Sequence, residues 1–282
     1  MDFVRRLFDP VLRSPVALVA FEGWNDASDA ASGTVAYIIG QFDAEPFLII
    51  DPEEFIDFQE TRPIVTVEDG VTEDLAWPAT RMYAVHMDEG ERDLVLVLGD
   101  EPQLRWQTYG GVLADELRRL GVERVVLLGA FLGQVPHTAP VPVIGTAAAT
   151  DELIELGLTG ANYAGPTGIV GVLSHLFRQE GLPTLSLWAA TSHYLGTNPN
   201  PKAMLALLER AARILDISVD ATELARVAGD FESRVDAAMS ASADFTAYVQ
   251  RLESLTVGGD PNFDPSDAAD LISEVEDFLK GT

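Results

Sequence analysis

The chain has 282 residues, is 47% hydrophobic, and carries no Cys and a formal net charge of −27 at pH 7. That length and apolar content suit one large α/β domain, or one domain with a small appendage, and the missing Cys excludes disulfides, thiolate metal sites and a Cys nucleophile. So acidic a surface repels phosphate backbones and anionic lipid heads, which argues against nucleic acid and membrane as partners and for cations, amines or a basic protein surface.

The opening "MDFVRRLFDPVLR" lacks the apolar run of a signal peptide, and no stretch approaches the roughly 20 apolar residues of a membrane span. A cytoplasmic protein is therefore expected. "PVALVAF" (15–21) is apolar throughout, as a strand buried on both faces must be, and a helix is expected over 27–42. "PFLIID" (46–51) is another buried strand, and two β-rich runs flank Asp69-Gly70 in 62–78, a hairpin signal. "TRMYAVHM" and "DLVLVLGD" give two more strands, and an amphipathic helix over 103–121 ends at Gly121, a C-cap residue. Strands at 124–130, 141–147 and 183–191, with helices near 149–157 and 167–181, complete the pattern. Alternation of this kind predicts a three-layer α/β/α sandwich on a mostly parallel sheet, with the hairpin supplying an antiparallel edge.

The pattern changes near residue 217, so the expected division is an α/β domain over 1–217 and an acidic helical region over 218–282. Leu224, Ala228, Phe231, Val235, Ala238, Ser242, Phe245, Val249 and Leu252 step by four and three, a heptad seam that predicts one long helix over 220–255. Gly and Pro mark a linker over 256–267. A last acidic helix is expected over 266–280, with Ser266 as its N-cap. This region either packs on its own α/β domain or serves as an oligomerisation or partner-binding arm.

No phosphate-binding loop, dinucleotide fingerprint, nucleophile elbow or zinc-protease motif is present. Neither cofactor nor metal is expected, and the catalytic assignment stays open. Four polar loops follow strands, and in a parallel sheet such loops line one crevice. The first, "FEGWNDASDA" (21–30), holds Glu22, Trp24, Asn25, Asp26 and Asp29. Asn25 or Asp26 can cap the following helix, and the loop's acidity favours an amine, a cation or a basic side chain. The second, after the central strand, places His137 and Thr138 between prolines, where an imidazole could act as a general base or make structural hydrogen bonds. The third holds Asn162, Gly165, Thr167 and Gly168 at a helix start; free N–H groups there could bind an anion, or Thr167 could cap the helix. The fourth, "ATSHYLG", holds His193. Convergence of the four loops is the site expected, with His137, Asp26 and Glu22 as its catalytic candidates.

"FEGWNDASDAA", "VPHTAPVPVIGTA" and "YAGPTGIVGVL", in that order, resemble the proteasome assembly chaperone two (PAC-two) family in its actinobacterial branch with added C-terminal helices. The resemblance covers roughly residues 15–215. It implies a phosphorylase/hydrolase-like α/β/α sandwich and a homo-oligomer, with a trimer as the family's habit. It also implies a role beside a larger protein complex. Some eukaryotic relatives insert a C-terminal hydrophobic–Tyr–any tripeptide between ring subunits; this chain ends Lys280-Gly281-Thr282, so that mode is not expected. Two functions of different class follow. One is a non-enzymatic, self-associating assembly or chaperone-like protein. The other is a small-molecule enzyme or sensor for a nucleoside, amine or peptide-like ligand. In it Glu22 and Asp26 would hold a cation or amine, His137 would be the base, and Thr167 with the Gly165–Gly168 amides would hold an oxygen.

Overall fold

The computed structural model describes residues 3–88, 92–196 and 198–256. In chain order the strands and helices are β1 (Val4–Arg6), β2 (Val16–Glu22), α1 (Ala30–Gln41), β3 (Pro46–Ile50), β4 (Ile64–Glu68), β5 (Val71–Ala76), β6 (Thr80–Val85), β7 (Leu94–Asp100), α2 (Trp106–Arg119), β8 (Arg124–Gly133), β9 (Val143–Thr146), α3 (Thr150–Glu155), β10 (Thr159–Gly160), α4 (Ile169–Gln179), β11 (Thr184–Ser192), α5 (Pro201–Leu215), α6 (Thr222–Ser240) and α7 (Ala243–Thr256).

Nine strands among the described residues form one sheet in the order β1-β3-β6-β7-β2-β8-β11-β9-β10. At its heart β7, β2, β8 and β11 run parallel. Antiparallel pairings flank this heart on both sides, through β6 and β3 to β1 and through β11 to β9. The central strands bury both faces, and their side chains divide by the two-residue period of a strand. Leu18, Ala20, Leu94, Leu96, Val126 and Leu128 pack under α1 and α5. Val19, Phe21, Val95, Val97, Val125 and Leu127 pack under α2 and α4. The three-layer α/β/α sandwich is thereby complete.

The 64–76 segment does form a hairpin on Asp69-Gly70, both residues at positive φ as a type I′ turn requires. It does not edge the main sheet, however; β4 and β5 make a separate two-stranded ribbon. The antiparallel flank on that side comes instead from β1, β3 and β6. Gly121 takes a positive φ at the end of α2, as a helix C-cap should. α5 has no counterpart among the expected elements, although Asn200 caps it by accepting from Ala203 N at 3.1 Å and Pro201 opens it.

The expected long C-terminal helix is two helices. Ser242 breaks the run, because its Oγ accepts from the Asp244 backbone N–H at 3.2 Å and so caps α7. α7 then folds back on α6. The seam survives as the inside of this helical hairpin: Phe231, Val235, Val249 and Leu252 are buried with Met239 against Tyr194 and Leu195 of the α/β sandwich. α6 also packs along α5. The linker and the last helix expected beyond residue 256 lie outside the described residues. No helix among the described residues is long and apolar enough to cross a membrane.

Candidate functional site

Because β7, β2, β8 and β11 are parallel neighbours, the loops after them leave from one edge of the sheet. The first loop turns tightly at Gly23, whose φ of 114° favours glycine. Asn25 and Asp26 then return beside β8: Asn25 O accepts from Ala130 N at 2.7 Å, and Asp26 bridges to Ala130. Asp26 Oδ1 accepts from the Ala31 and Ser32 backbone N–H groups at 2.7 and 3.1 Å, so Asp26 caps α1 across a turn of 3₁₀ helix. Its Oδ2 and the Asn25 Oδ1 are buried and have no hydrogen-bond partner among the described residues. Glu22 and Asp29 are exposed at the rim, and Trp24 is 65% exposed.

Carboxylates crowd this edge. Glu22 lies beside Asp100 in the sheet register, and Glu101 follows at the end of β7. Burial, then the Asp100, Asp26 and Asp29 charges, hold the Glu22 carboxyl above the usual range. Burial likewise raises Asp26, against the lowering effect of its hydrogen bonds with Ser32 and Ala31. Burial also raises Asp29 and Asp100.

The third loop meets this cluster differently from expectation. Gly168, not Thr167, is the N-cap residue of α4, and it caps with no side chain. Glu101 Oε1 accepts from Ile169 N at 2.8 Å and from Asn25 Nδ2 at 2.7 Å. The helix N-terminus is therefore already met by a carboxyl group of the protein itself, from Glu101 just after β7. Gly168 is buried where a Cβ would strike Asn25 and Glu101. Asn162, Gly165 and Thr167 are exposed on the loop that leads there, and Tyr163 is 71% exposed.

His137, Thr138 and His193 are gathered elsewhere along the edge, under the helical arm. His137 is buried. Its Nδ1 lies 2.6 Å from the Tyr194 hydroxyl and its Nε2 lies 2.9 Å from Asp236 Oδ1 of α6. Its backbone N–H also donates to Tyr194, and Lys202 Nζ donates to its carbonyl at 2.6 Å and to Glu232 at 2.8 Å. Thr138 donates to Glu253 of α7 at 2.6 Å. His193 Nδ1 lies 3.2 Å from the Gly133 carbonyl and its Nε2 lies 2.8 Å from Tyr248 of α7. Burial pushes the Tyr194 phenol up to about 12, so it stays protonated. Burial holds both imidazoles below their usual value, against the raising effects of Asp236 on His137 and of Gly133 on His193. Both ring nitrogens of each histidine are thus engaged in tying the arm to the strand ends. A cavity of about 10 Å³ beneath the arm, lined by His137, Lys202 and Phe231 among others, has room for one water. An open groove of about 660 Å³ lies between the end of α5 and the start of α6. Neither is lined by Glu22, Asn25 or Asp26.

The structure therefore brings Glu22, Trp24, Asn25, Asp26, Asp29 and Gly168 into one cluster, and His137, Thr138 and His193 into a second. Glu101, Asp236, Lys202 and Tyr248 join them without having been singled out in the sequence. Only Glu101 carried a readable signal: it directly follows an apolar strand.

The PAC2 family model matches residues 20–239. The chain belongs to the PAC2 family. The match extends through most of α6, so that helix lies within the family's shared region. A PAC2 family protein from Streptomyces avermitilis is 43% identical, over 83% of this chain and 99% of that one, with a TM-score of 0.77. A proteasome-assembly chaperone homologue from Mycobacterium tuberculosis is 40% identical over the same shares, with a TM-score of 0.78. PbaB, an archaeal proteasome activator from Pyrococcus furiosus, shares the fold at 18% identity, with 82% of this chain and 95% of that one covered and a TM-score of 0.63. No curated protein matches the chain.

Proposed function

We propose that the protein is a non-enzymatic, self-associating assembly or chaperone-like protein that offers the carboxyl ends of its central strands to a protein partner. The observation that carries this reading is what the edge exposes. Trp24, Leu104, Phe131, Leu132 and Tyr163 all follow or end strands of this edge, or lie on the loop entering α4, and each is between 37% and 71% exposed. Glu22, Asp29 and Asp100 stand among them. Aromatic and aliphatic anchors with a charged rim suit a protein surface, and the acidity selects a basic one. Groups that a small-molecule site would use are committed within the fold: the histidines to the arm, and the first α4 amide, Ile169 N, to Glu101. The names borne by the Mycobacterium and Pyrococcus neighbours point to proteasome subunits as the partner.

Assembly of proteasome α-rings from subunits of the same organism tests this. The wild type is expected to raise the yield of assembled rings, and a Trp24→Ser/Tyr163→Ser variant with unchanged Tm is expected to lose that effect. Ring assembly indifferent to the wild type would contradict a proteasomal role.

One observation favours the enzyme or sensor reading. Asn25 Oδ1 and Asp26 Oδ2 are buried acceptors without partners beside raised carboxylates, which an amine or cation would satisfy. Binding of a simple amine that is lost in Asp26→Asn would support it.

A further inference from the structure

We infer that two copies of the chain exchange α7: in each, α6 and α7 straighten into one helix, and α7 packs on the sandwich of the other copy. This rests on the self-associating reading above and names the element that makes the contact. The break between the two helices is small. α6 ends at Ser240 and α7 begins at Ala243. Ala241 keeps helical backbone angles, φ −70° and ψ −20°, so the chain departs from helix at Ser242. No Gly or Pro lies between Gly229 and Gly258, and five of the residues 237–247 are Ala, the strongest helix former. The Ser242 cap, at 3.2 Å from the Asp244 N–H, is what favours the turn over a straight run.

The apolar seam is symmetric about that turn. Val235 and Val249 stand seven residues either side of Ser242, and Phe231 and Leu252 stand eleven and ten. The four-and-three count also runs unbroken through Ser242, as one continuous helix requires. Two such helices, antiparallel and crossing at Ser242, set Val235 against Val249 and Phe231 against Leu252. These are side chains that the folded hairpin already buries together. A self-complementary face of this kind closes into a two-fold dimer.

The attachments of α7 carry over. Glu253 accepts from Thr138, Tyr248 meets His193, and Val249 and Leu252 pack with Tyr194 and Leu195. All of these join α7 to the sandwich, whereas His137 is held by Asp236 of α6, which stays in place. The partner's Tyr248 and the partner's Glu253 make the same contacts after exchange, so only the turn changes, and short hinges invite such swaps. The straight helix over 222–256 is about 52 Å long at 1.5 Å per residue. That length puts the two sandwiches on opposite halves of the pair.

The chain has no Cys, so thiols can be placed in pairs without background. In full-length Thr138→Cys/Glu253→Cys, a short bis-maleimide is expected to join two chains, and ultracentrifugation of the wild type is expected to show a dimer. Ala243→Pro suits the first turn of α7 but blocks a helix that runs through it. It is expected to give a folded monomer whose thiols, placed in the same background, join within one chain. Ser242→Ala removes the cap and is expected to tighten the dimer roughly tenfold. A wild-type oligomer whose thiols do not join two chains, or one that Ala243→Pro leaves intact, overturns the inference and leaves the self-associating reading standing. A wild type that is monomeric at all concentrations overturns both.

Discussion

Asp26 holds the first turn of α1 with one carboxylate oxygen and leaves the other buried without a hydrogen-bond partner among the described residues. A buried unpaired acceptor is an energetic liability unless something else uses it. Burial raises this carboxyl, so the folded state binds its proton at a higher pH than the unfolded chain does. In the window from the ordinary carboxylate value up to the raised one, stability falls as pH rises. Asp26→Asn keeps the capping oxygen and removes the charge, so it is expected to raise Tm at neutral pH and flatten this part of the pH profile. Asp26→Ala loses the cap and is expected to lower stability by about 1 kcal/mol. Thermal melts of the two variants between pH 4 and pH 8 check this, and equal losses in both would assign Asp26 a purely structural role. Glu22, Asn25 and Asp26 were legible as a cluster because they fall in one turn. Glu101 and Asn25 meet across 76 positions of chain, and only the sheet register reveals that pairing.

At the scale of elements, the helical arm is fastened to the strand ends by buried imidazoles. His137 reaches Tyr194 of the sandwich and Asp236 of α6, with Lys202 of α5 and Glu232 of α6 beside it, while His193 reaches Tyr248 of α7. Burial lowers both imidazoles, so the folded state resists protonating them. Their contribution is present above the ordinary imidazole value and is lost as pH falls below it toward the lowered one. The protection of α6 and α7 against hydrogen exchange, corrected for the intrinsic rate at each pH, is therefore expected to fall between pH 7 and pH 5.5 while β2 and β8 stay protected, and His137→Gln is expected to remove part of that dependence. Uniform protection of the arm across this range would contradict the fastening. The central strands were legible because burial on both faces demands unbroken apolar runs, as in 16–21 and 94–98. β1 and β10 were not, since two or three residues display no period. The 4,3 spacing of residues 224–252 fits one long helix and a folded helical hairpin equally, and the single Ser242 cap decides between them.

The whole molecule is an α/β/α sandwich whose carboxyl edge is closed at one part by its own arm and open at another. The open part carries exposed aromatics and carboxylates in a chain of net charge −27. Composition alone pointed to cations, amines or a basic protein surface, and the proposal of a docking face rests on which loop side chains the fold itself uses. The histidines are spent inside and Trp24 is left outside, an outcome set by helices more than 50 residues away in sequence. Native mass spectrometry of the protein purified gently from its own host tests the docking face most directly. An assembly heavier than the homo-oligomer is expected, containing a second and basic polypeptide that is lost from Trp24→Ser/Tyr163→Ser. A homo-oligomer carrying only a reproducible small adduct, retained in that variant and lost in Asp26→Asn, would contradict it.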